Sequence, residues 1–328
     1  MSLIETENLS KVFRRFEKKP GLKGSIAGLF HRSYVEKIAL SDFDLSISEG
    51  EFVGLIGPNG AGKTTLVKLL TGIIPPTSGS LSVMGYTPNK LEDSFKSQYA
   101  VVMGQKSQLF FDLTPKDTFR LFKEIYGIQD SDYKRNIAYF TELFGIGDLM
   151  QVQVRTLSLG ERMKMELIAA LLHSPRILFL DEPTIGLDAL AQHQMRSFLR
   201  EVNKNHGTTI LLTSHYMEDI LSLCKRSVVI SNGVKICDGP TEALFAQHQT
   251  FRKMTLVLEG ECTVELPKDC LEVTQEHLKL SFLLPKANAT PLLQSLLARY
   301  PIRDIMVEEE DIGSVVSRLY GSQEETAL

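Results

Sequence analysis

The sequence predicts an α/β protein whose core sheet carries a phosphate-binding loop. An antiparallel sheet precedes that loop, a helical segment interrupts the core, and a small α+β domain follows it. Three observations predict this. The stretch Gly57-Pro58-Asn59-Gly60-Ala61-Gly62-Lys63-Thr64-Thr65 fits the pattern G-x-x-x-x-G-K-[ST]. It stands between the short apolar run Glu51–Ile56, which reads as a buried strand, and Leu66–Leu70, whose apolar residues have helical spacing. A second apolar run, Arg176–Leu180, ends in adjacent carboxylates at Asp181 and Glu182. From about Thr250 the pattern changes to short strands and helices without a cluster of catalytic side chains.

Composition bounds the reading. A chain of 328 residues suits one large domain with a small one, or two of similar size. Its 43% hydrophobic and 23% charged content is ordinary for a globular protein with a substantial core. A net charge of −4 argues against nucleic acid as a partner. Cys224, Cys237, Cys262 and Cys270 lie far apart with no C-x-x-C pair, and read as reduced thiols. No apolar run approaches the roughly 18 residues a membrane span requires. The acidic, alternating start Met1–Glu7 does not read as a signal peptide. If the protein works on a membrane, another chain is expected to supply the spans.

Taken in order, residues 1–9 alternate apolar and polar and read as an edge strand, and Phe43–Ser48 alternates again. Between them, residues 14–32 are strongly basic, with Leu22, Ile26, Leu29 and Phe30 on one helical face. That segment reads as a solvated loop with one turn packed on the domain; the alternative is an amphipathic piece lying on anionic lipid or on a membrane partner. Tyr34 follows, either an aromatic for stacking on adenine or a surface tyrosine. Ser80–Met84 and Ala100–Gln105 read as strands, and residues 115–150 as helical without strands. Ser158 is a natural N-cap that Glu161 completes as a capping box, for a helix running to about His173. Thr208–His215, Ser227–Ile230 and Val234–Asp238 read as strands, and Pro240–Gln247 as a short helix. Beyond it, Thr255–Glu259, Thr263–Leu266, Leu278–Leu284 and Ile305–Glu308 read as strands, with helices at Pro291–Tyr300 and Ile312–Tyr320 and a frayed tail from Gln323.

The residue types explain the chemistry. Glycines let the loop turn its N–H groups inward, and the following helix N-terminus adds partial positive charge towards phosphate. Lys63 can reach the β- and γ-phosphates, and the Thr64 hydroxyl can ligate magnesium. Asp181 and Glu182 stand at the C-terminal end of a buried strand, where open α/β sheets bind ligands. Asp181 suits a magnesium ligand and Glu182 can polarise an attacking water. Gln105 and His215, each at a strand end, read by themselves as structural residues.

In series, these pieces resemble an ABC-type ATPase, the nucleotide-binding subunit of a membrane transporter, over residues 1 to about 245. The resemblance rests on Tyr34, the phosphate loop 57–65, Gln105, the stretch Leu157-Ser158-Leu159-Gly160-Glu161-Arg162, the Asp181-Glu182 strand, Asp188 and His215. It implies a P-loop NTPase core of ABC type with an antiparallel β subdomain and a helical subdomain at about 106–172. The nucleotide-binding domain is expected over 1–248 and a regulatory or dimerisation domain over 249–328. ATP and Mg2+ are the implied cofactors, with Thr64, Asp181 and Gln105 at the metal, and Glu182 activating water. His215 is implied at the γ-phosphate, and Tyr34 at adenine. Ser158, Gly160 and Asp188 would serve a second ATPase subunit, expected to form a homodimer. The usual signature is L-S-G-G-Q, and this sequence departs from it at Leu159 and Glu161.

The stretches Val102–Leu109, L-S-L-G-E-R and Glu182–Asp188, together with the C-terminal domain, are similar to the ATPases of ABC-2-type exporters. The long basic insertion resembles a multidrug or viologen exporter subgroup. This implies export of an organic, drug-like compound through separate ABC-2-type permease subunits, with the chain peripheral on the cytoplasmic face of the inner membrane. An importer subunit and a soluble ABC ATPase unconnected with transport are the alternatives.

Overall fold

The computed structural model describes residues 2–16, 34–104, 106–214, 216–260, 262–310 and 315. Gln105, His215, most of the basic insertion, most of the expected last helix and the tail lie outside the described residues. The chain packs as two compact units, divided between residues 241 and 242.

The first unit opens with a long hairpin, β1 (Ser2–Phe16) and β2 (Tyr34–Ser48), followed by β3 (Phe52–Ile56) and α1 (Lys63–Leu70). Next come β4 (Ser78–Val83), α2 (Asp93–Lys96), β5 (Tyr99–Met103), α3 (Pro115–Ile125), α4 (Asp130–Phe144) and α5 (Leu159–Leu171). The unit continues with β6 (Ile177–Asp181), α6 (Ala189–His206), β7 (Thr209–Thr213), α7 (Met217–Leu223), β8 (Arg226–Ser231) and β9 (Val234–Pro240). Helix α8 (Thr241–His248) begins at the division.

Two sheets result. The core sheet has the order β5-β6-β7-β3-β8-β9 and is parallel except for the β8–β9 pair. Strands β3 and β7 are buried at every position, as strands covered on both faces must be. The order puts β3 between β7 and β8, so the phosphate loop leaves the sheet beside the ends of β6 and β7. Ile4, Phe43, Leu66, Leu69, Val53 and Phe179 belong to one buried cluster, so the two sheets and α1 share a core.

The second sheet, β2-β1-β4, is antiparallel, as expected. Strand β1 is not an edge strand: it is the centre of this sheet, paired on one side with β2 and on the other with β4. It also continues through Arg14, Arg15 and Phe16, which pair with Glu36, Val35 and Tyr34. Charged residues suit this extension because the ribbon there carries exposed side chains.

The second unit is a four-stranded antiparallel sheet, β10 (Phe251–Leu258), β11 (Leu271–Glu276), β12 (Lys279–Pro285) and β13 (Ile302–Glu309), in the order β11-β12-β10-β13. Helix α9 (Ala289–Arg299) joins Met254, Leu256, Phe282 and Leu284 in a separate core through Leu296. The expected strand at Thr263–Leu266 is irregular, and the strand lies at Leu271–Glu276. Pro267 closes the earlier stretch without a ladder donor. Its apolar residues Val264 and Leu266 still pack on the core.

Candidate functional site

The phosphate loop leaves β3 at Gly57 and enters α1 at Lys63. Gly62, the residue before the helix, has φ 115, and a Cβ there would lie 2.5 Å from the Ala39 carbonyl oxygen. Only glycine meets both constraints. Lys63 is 5% exposed, and its ammonium donates to the Gly57 and Pro58 carbonyls at 2.6 and 3.1 Å. Burial pulls its pKa below the usual lysine value, and the Glu182 and Asp181 carboxylates oppose that pull.

The ends of β6 and β7 bring the acids to this loop. The Asp181 carboxylate accepts from the Thr64 hydroxyl at 2.8 Å and from the Thr213 hydroxyl at 2.6 Å. Glu182 has φ 55, a left-handed conformation that costs a non-glycine residue about 1–3 kcal/mol. The surroundings hold it there. Its N–H donates to the Thr213 carbonyl at 3.0 Å and lies 3.1 Å from the Thr213 hydroxyl. From the other side, Gly104 N–H donates to the Asp181 carbonyl at 2.9 Å, and a Cβ on Gly104 would stand 2.2 Å from the Glu182 carbonyl oxygen. The turn therefore aims Glu182 where a regular strand continuation would not.

These residues line a cleft with two lobes that meet at Asn59, Thr64 and Glu182. One lobe, about 300 Å³, runs beside Lys68, Gly104, Lys106 and Asp181. The other, about 210 Å³, lies over the loop from Asn59 to Thr65 and is bounded by Phe13, Lys37 and Ala39. A carboxylate and a hydroxyl beside a phosphate-sized loop are oxygen donors of the kind magnesium takes. Among the described residues, no group of three or more His, Cys, Asp or Glu could hold a metal by itself.

Tyr34 is not part of this cleft. It pairs with Phe16, three ladder steps beyond the Phe13–Lys37 pair. At about 3.3 Å per residue that is roughly 10 Å away, and an odd offset turns the side chain to the opposite face. Among the described residues, the aromatic that lines the cleft is Phe13. The sequence carries no local sign of this, because strand register across a long insertion decides which aromatic faces inward. Lys37 reaches the cleft by the same register, with no local sign in the sequence.

Ser158 caps α5 as expected: its hydroxyl accepts from the Glu161 N–H at 3.3 Å, and the Glu161 carboxylate accepts from the Ser158 N–H at 2.8 Å. The Ser158 hydroxyl also stands 2.8 Å from that carboxylate, and these contacts hold the Glu161 carboxyl below the usual range. Leu159, in place of a glycine, is 41% exposed and reaches Gly186, where a Cβ would meet its Cδ2 at 3.1 Å. Asp188 caps α6, accepting the Ala191 N–H at 2.8 Å. Neither Ser158, Gly160 nor Asp188 lines the cleft described above. Gln105 and His215 lie outside the described residues.

A buried network braces the segment that follows β6 against the one that follows β7. Asp219 is fully buried and accepts from Thr184 at 2.6 Å, from Ser214 at 2.8 Å and from Arg196 at 2.9 Å. The sequence does not announce it, since its members come from four separate segments. Cys224 is buried, and burial pushes its thiol pKa up, as suits a core thiol. Among the described residues no helix is long and apolar enough to cross a membrane.

Comparison with known proteins accounts for this arrangement. The sequence profile of the ABC transporter family matches residues 40–185. The ABC transporter ATP-binding protein NatA of Bacillus subtilis (strain 168) is 34% identical over 212 residues, covering 65% of this chain and 86% of NatA. The linearmycin resistance ATP-binding protein LnrL of the same organism is 29% identical over 272 residues, covering 81% of this chain and 87% of LnrL. A solved ATP-binding subunit of an ABC transporter superposes with a TM-score of 0.62 at 25% identity, covering 75% of this chain and 93% of that one. The chain belongs to the ABC transporter ATP-binding proteins and is an ATP hydrolase.

Proposed function

We propose that this chain powers the export of an organic, drug-like compound through separate ABC-2-type permease subunits, working on the cytoplasmic face of the membrane. The observation that carries the ATPase chemistry is the Thr64–Asp181 contact at 2.8 Å with Glu182 one residue on, in one cleft. For export, support comes from similarity to a resistance ATP-binding protein and from the Val102–Leu109 and Glu182–Asp188 stretches.

In this reading Lys63 and the loop 57–65 bind the phosphates, and Phe13, in place of Tyr34, stacks on adenine. Thr64 and Asp181 hold Mg2+, which neutralises phosphate charge when bound. Glu182 orients and deprotonates the attacking water, assistance worth about 10²–10⁴ in rate. Gln105 and His215 keep the roles the family resemblance implies, at the metal and the γ-phosphate. Ser158, Gly160 and Asp188 serve the ATP of a second copy, which fits their position off the cleft of their own chain. ATP then closes a homodimer and hydrolysis releases it. Residues 1–248 form the nucleotide-binding domain, and 249–328 a regulatory or dimerisation domain.

The test is Glu182→Gln, expressed with an affinity tag in the native host. ATP should still bind, turnover should drop by about 10²–10⁴, and multi-spanning permease subunits should copurify from solubilised membranes with ATP and Mg2+. Near-normal turnover would remove Glu182 from the chemistry. Copurification of ribosomes or DNA-repair proteins without a permease would overturn the transport reading.

A further inference from the structure

The chain leaving the cleft after β5 does not run free to the helical segment. Met103, Gly104 and Lys106 line the lobe beside Asp181 and Glu182. A few residues on, the same chain is fastened to α5, the helix that Ser158 caps. Glu166, 4% exposed on α5, turns its carboxylate onto this loop. Both of its oxygens lie 3.0 Å from the Gln108 N–H, and Oε1 also accepts from the Leu109 N–H at 3.4 Å and from the Ser107 hydroxyl. One helical turn earlier on the same face, the Arg162 guanidinium lies over the Phe111 ring at 5.3 Å. The segment before α5 adds two backbone bonds, from Arg155 N–H to the Phe111 carbonyl at 3.1 Å and from Val154 N–H to the Leu113 carbonyl at 3.0 Å. At the cleft end, the Gln108 side chain donates to the Val101 carbonyl on β5 at 2.7 Å.

A buried carboxylate that takes several donors from one short loop sets that loop's position more tightly than apolar packing, because hydrogen bonds are directional. Glu166 lies eight residues into α5 from the Ser158 cap, about 12 Å along the helix. Its hydrogen bonds go to Ser107, Gln108 and Leu109, and not to the phosphate loop or to Asp181 and Glu182. What it joins is the wall of the nucleotide cleft and the helix whose N-terminus carries the signature residues.

We propose that Glu166 is a positioning residue, which locks loop 107–111 to α5 so that the cleft wall at Met103, Gly104 and Lys106 and the signature end of α5 move as one body when nucleotide binds. This rests on the ATPase reading given above. It names a side chain that the family motif does not include and gives it a coupling role within one subunit.

The experiment compares full-length wild type with Glu166→Gln, Ser107→Ala, the double variant and Glu182→Gln. Each is measured for binding of a fluorescent ATP analogue and for steady-state turnover, at a temperature where circular dichroism shows it folded. Glutamine keeps the volume but replaces one accepting oxygen with an NH2 group. Binding by Glu166→Gln should stay within about twofold of wild type, while kcat falls roughly tenfold to a hundredfold, the scale of a small misplacement far from the chemistry. Ser107→Ala should lower kcat less, and should add almost nothing in the Glu166→Gln background.

A merely structural role would lower the melting temperature and leave kcat of the folded protein unchanged; that result overturns the proposal. So does weakened nucleotide binding in step with kcat, or full additivity of the two substitutions. If Glu182→Gln also turns over normally, it is the underlying ATPase assignment that fails. If Glu182→Gln is inactive and Glu166→Gln is normal, only the coupling role falls.

Discussion

The Thr64 hydroxyl donates to the Asp181 carboxylate at 2.8 Å across a sequence separation of 117 residues. One group comes from the first turn of α1 and the other from the last residue of β6, and β7 stands between β6 and β3 in the sheet. Thr213 on β7 closes the arrangement by donating to the other Asp181 oxygen. Asp181 is thus aimed by two hydroxyls.

Thr64→Val keeps the side-chain shape and removes the hydroxyl. Turnover should fall by at least about tenfold, since a group acting in the transition state lowers kcat. The Mg2+ concentration giving half-maximal rate should rise, while Thr64→Ser stays near wild type. A magnesium titration checks this, and an unchanged midpoint in Thr64→Val would remove Thr64 from the metal site.

Phe13, not Tyr34, faces the lobe above the phosphate loop. Loss of an aromatic platform under a base costs about 1–3 kcal/mol, so Phe13→Ala should weaken ATP binding by roughly 5–150-fold. Tyr34→Ala should change it less than about twofold, since an exposed side chain on the opposite face of the ribbon is lost. Titration with fluorescent ATP separates the two, and the reverse ranking would restore Tyr34 to the adenine position.

Asp219 shares its charge with Arg196, whose side chain is 8% exposed, and it takes the hydroxyls of Thr184 and Ser214. Among the described residues, Asp219→Ala leaves the buried Arg196 guanidinium with Glu218 as its charged partner, at 2.9 Å. Removing one member of a buried pair costs about 3–5 kcal/mol, read as a lowered urea midpoint at unchanged slope. A loss below about 1 kcal/mol, the scale of a surface pair, would mean that Asp219 is not the anchor of these loops.

His173 stacks on Tyr126 with ring centroids 4.0 Å apart, and its Nε2 lies 3.2 Å from the Tyr99 carbonyl. Burial depresses its pKa from 6.5 to about 4. Between those values the unfolded chain binds the proton and the folded chain does not, so this contribution is full above pH 6.5 and is lost as pH falls towards 4. His173→Phe keeps the stack and cannot titrate. The difference in stability between wild type and the variant should therefore slope over pH 4–6.5 and be flat above it. A difference that does not change with pH would show that His173 titrates normally.

Strand and helix positions in the core follow from local pattern: buried runs at 52–56, 177–181 and 209–213, and the capping box at Ser158 and Glu161. Those signals are local because burial on both faces, or a cap three residues away, shows within one element. The edge-strand reading of residues 1–9 failed where pairing decides. A strand's neighbours are set by distant segments, and β1 has partners on both sides.

The same division runs through the site. By itself the sequence determined the phosphate loop, the acids Asp181 and Glu182 and the family they indicate, because each rests on a short run whose residue types are dictated by phosphate and magnesium chemistry. Only the tertiary structure decided that Phe13 and not Tyr34 meets the cleft, that Asp219 braces two loops, and that Glu166 ties the loop after β5 to α5. These relations depend on register and on side chains tens of residues apart, and spacing along a chain carries no information about either until the sheets have paired.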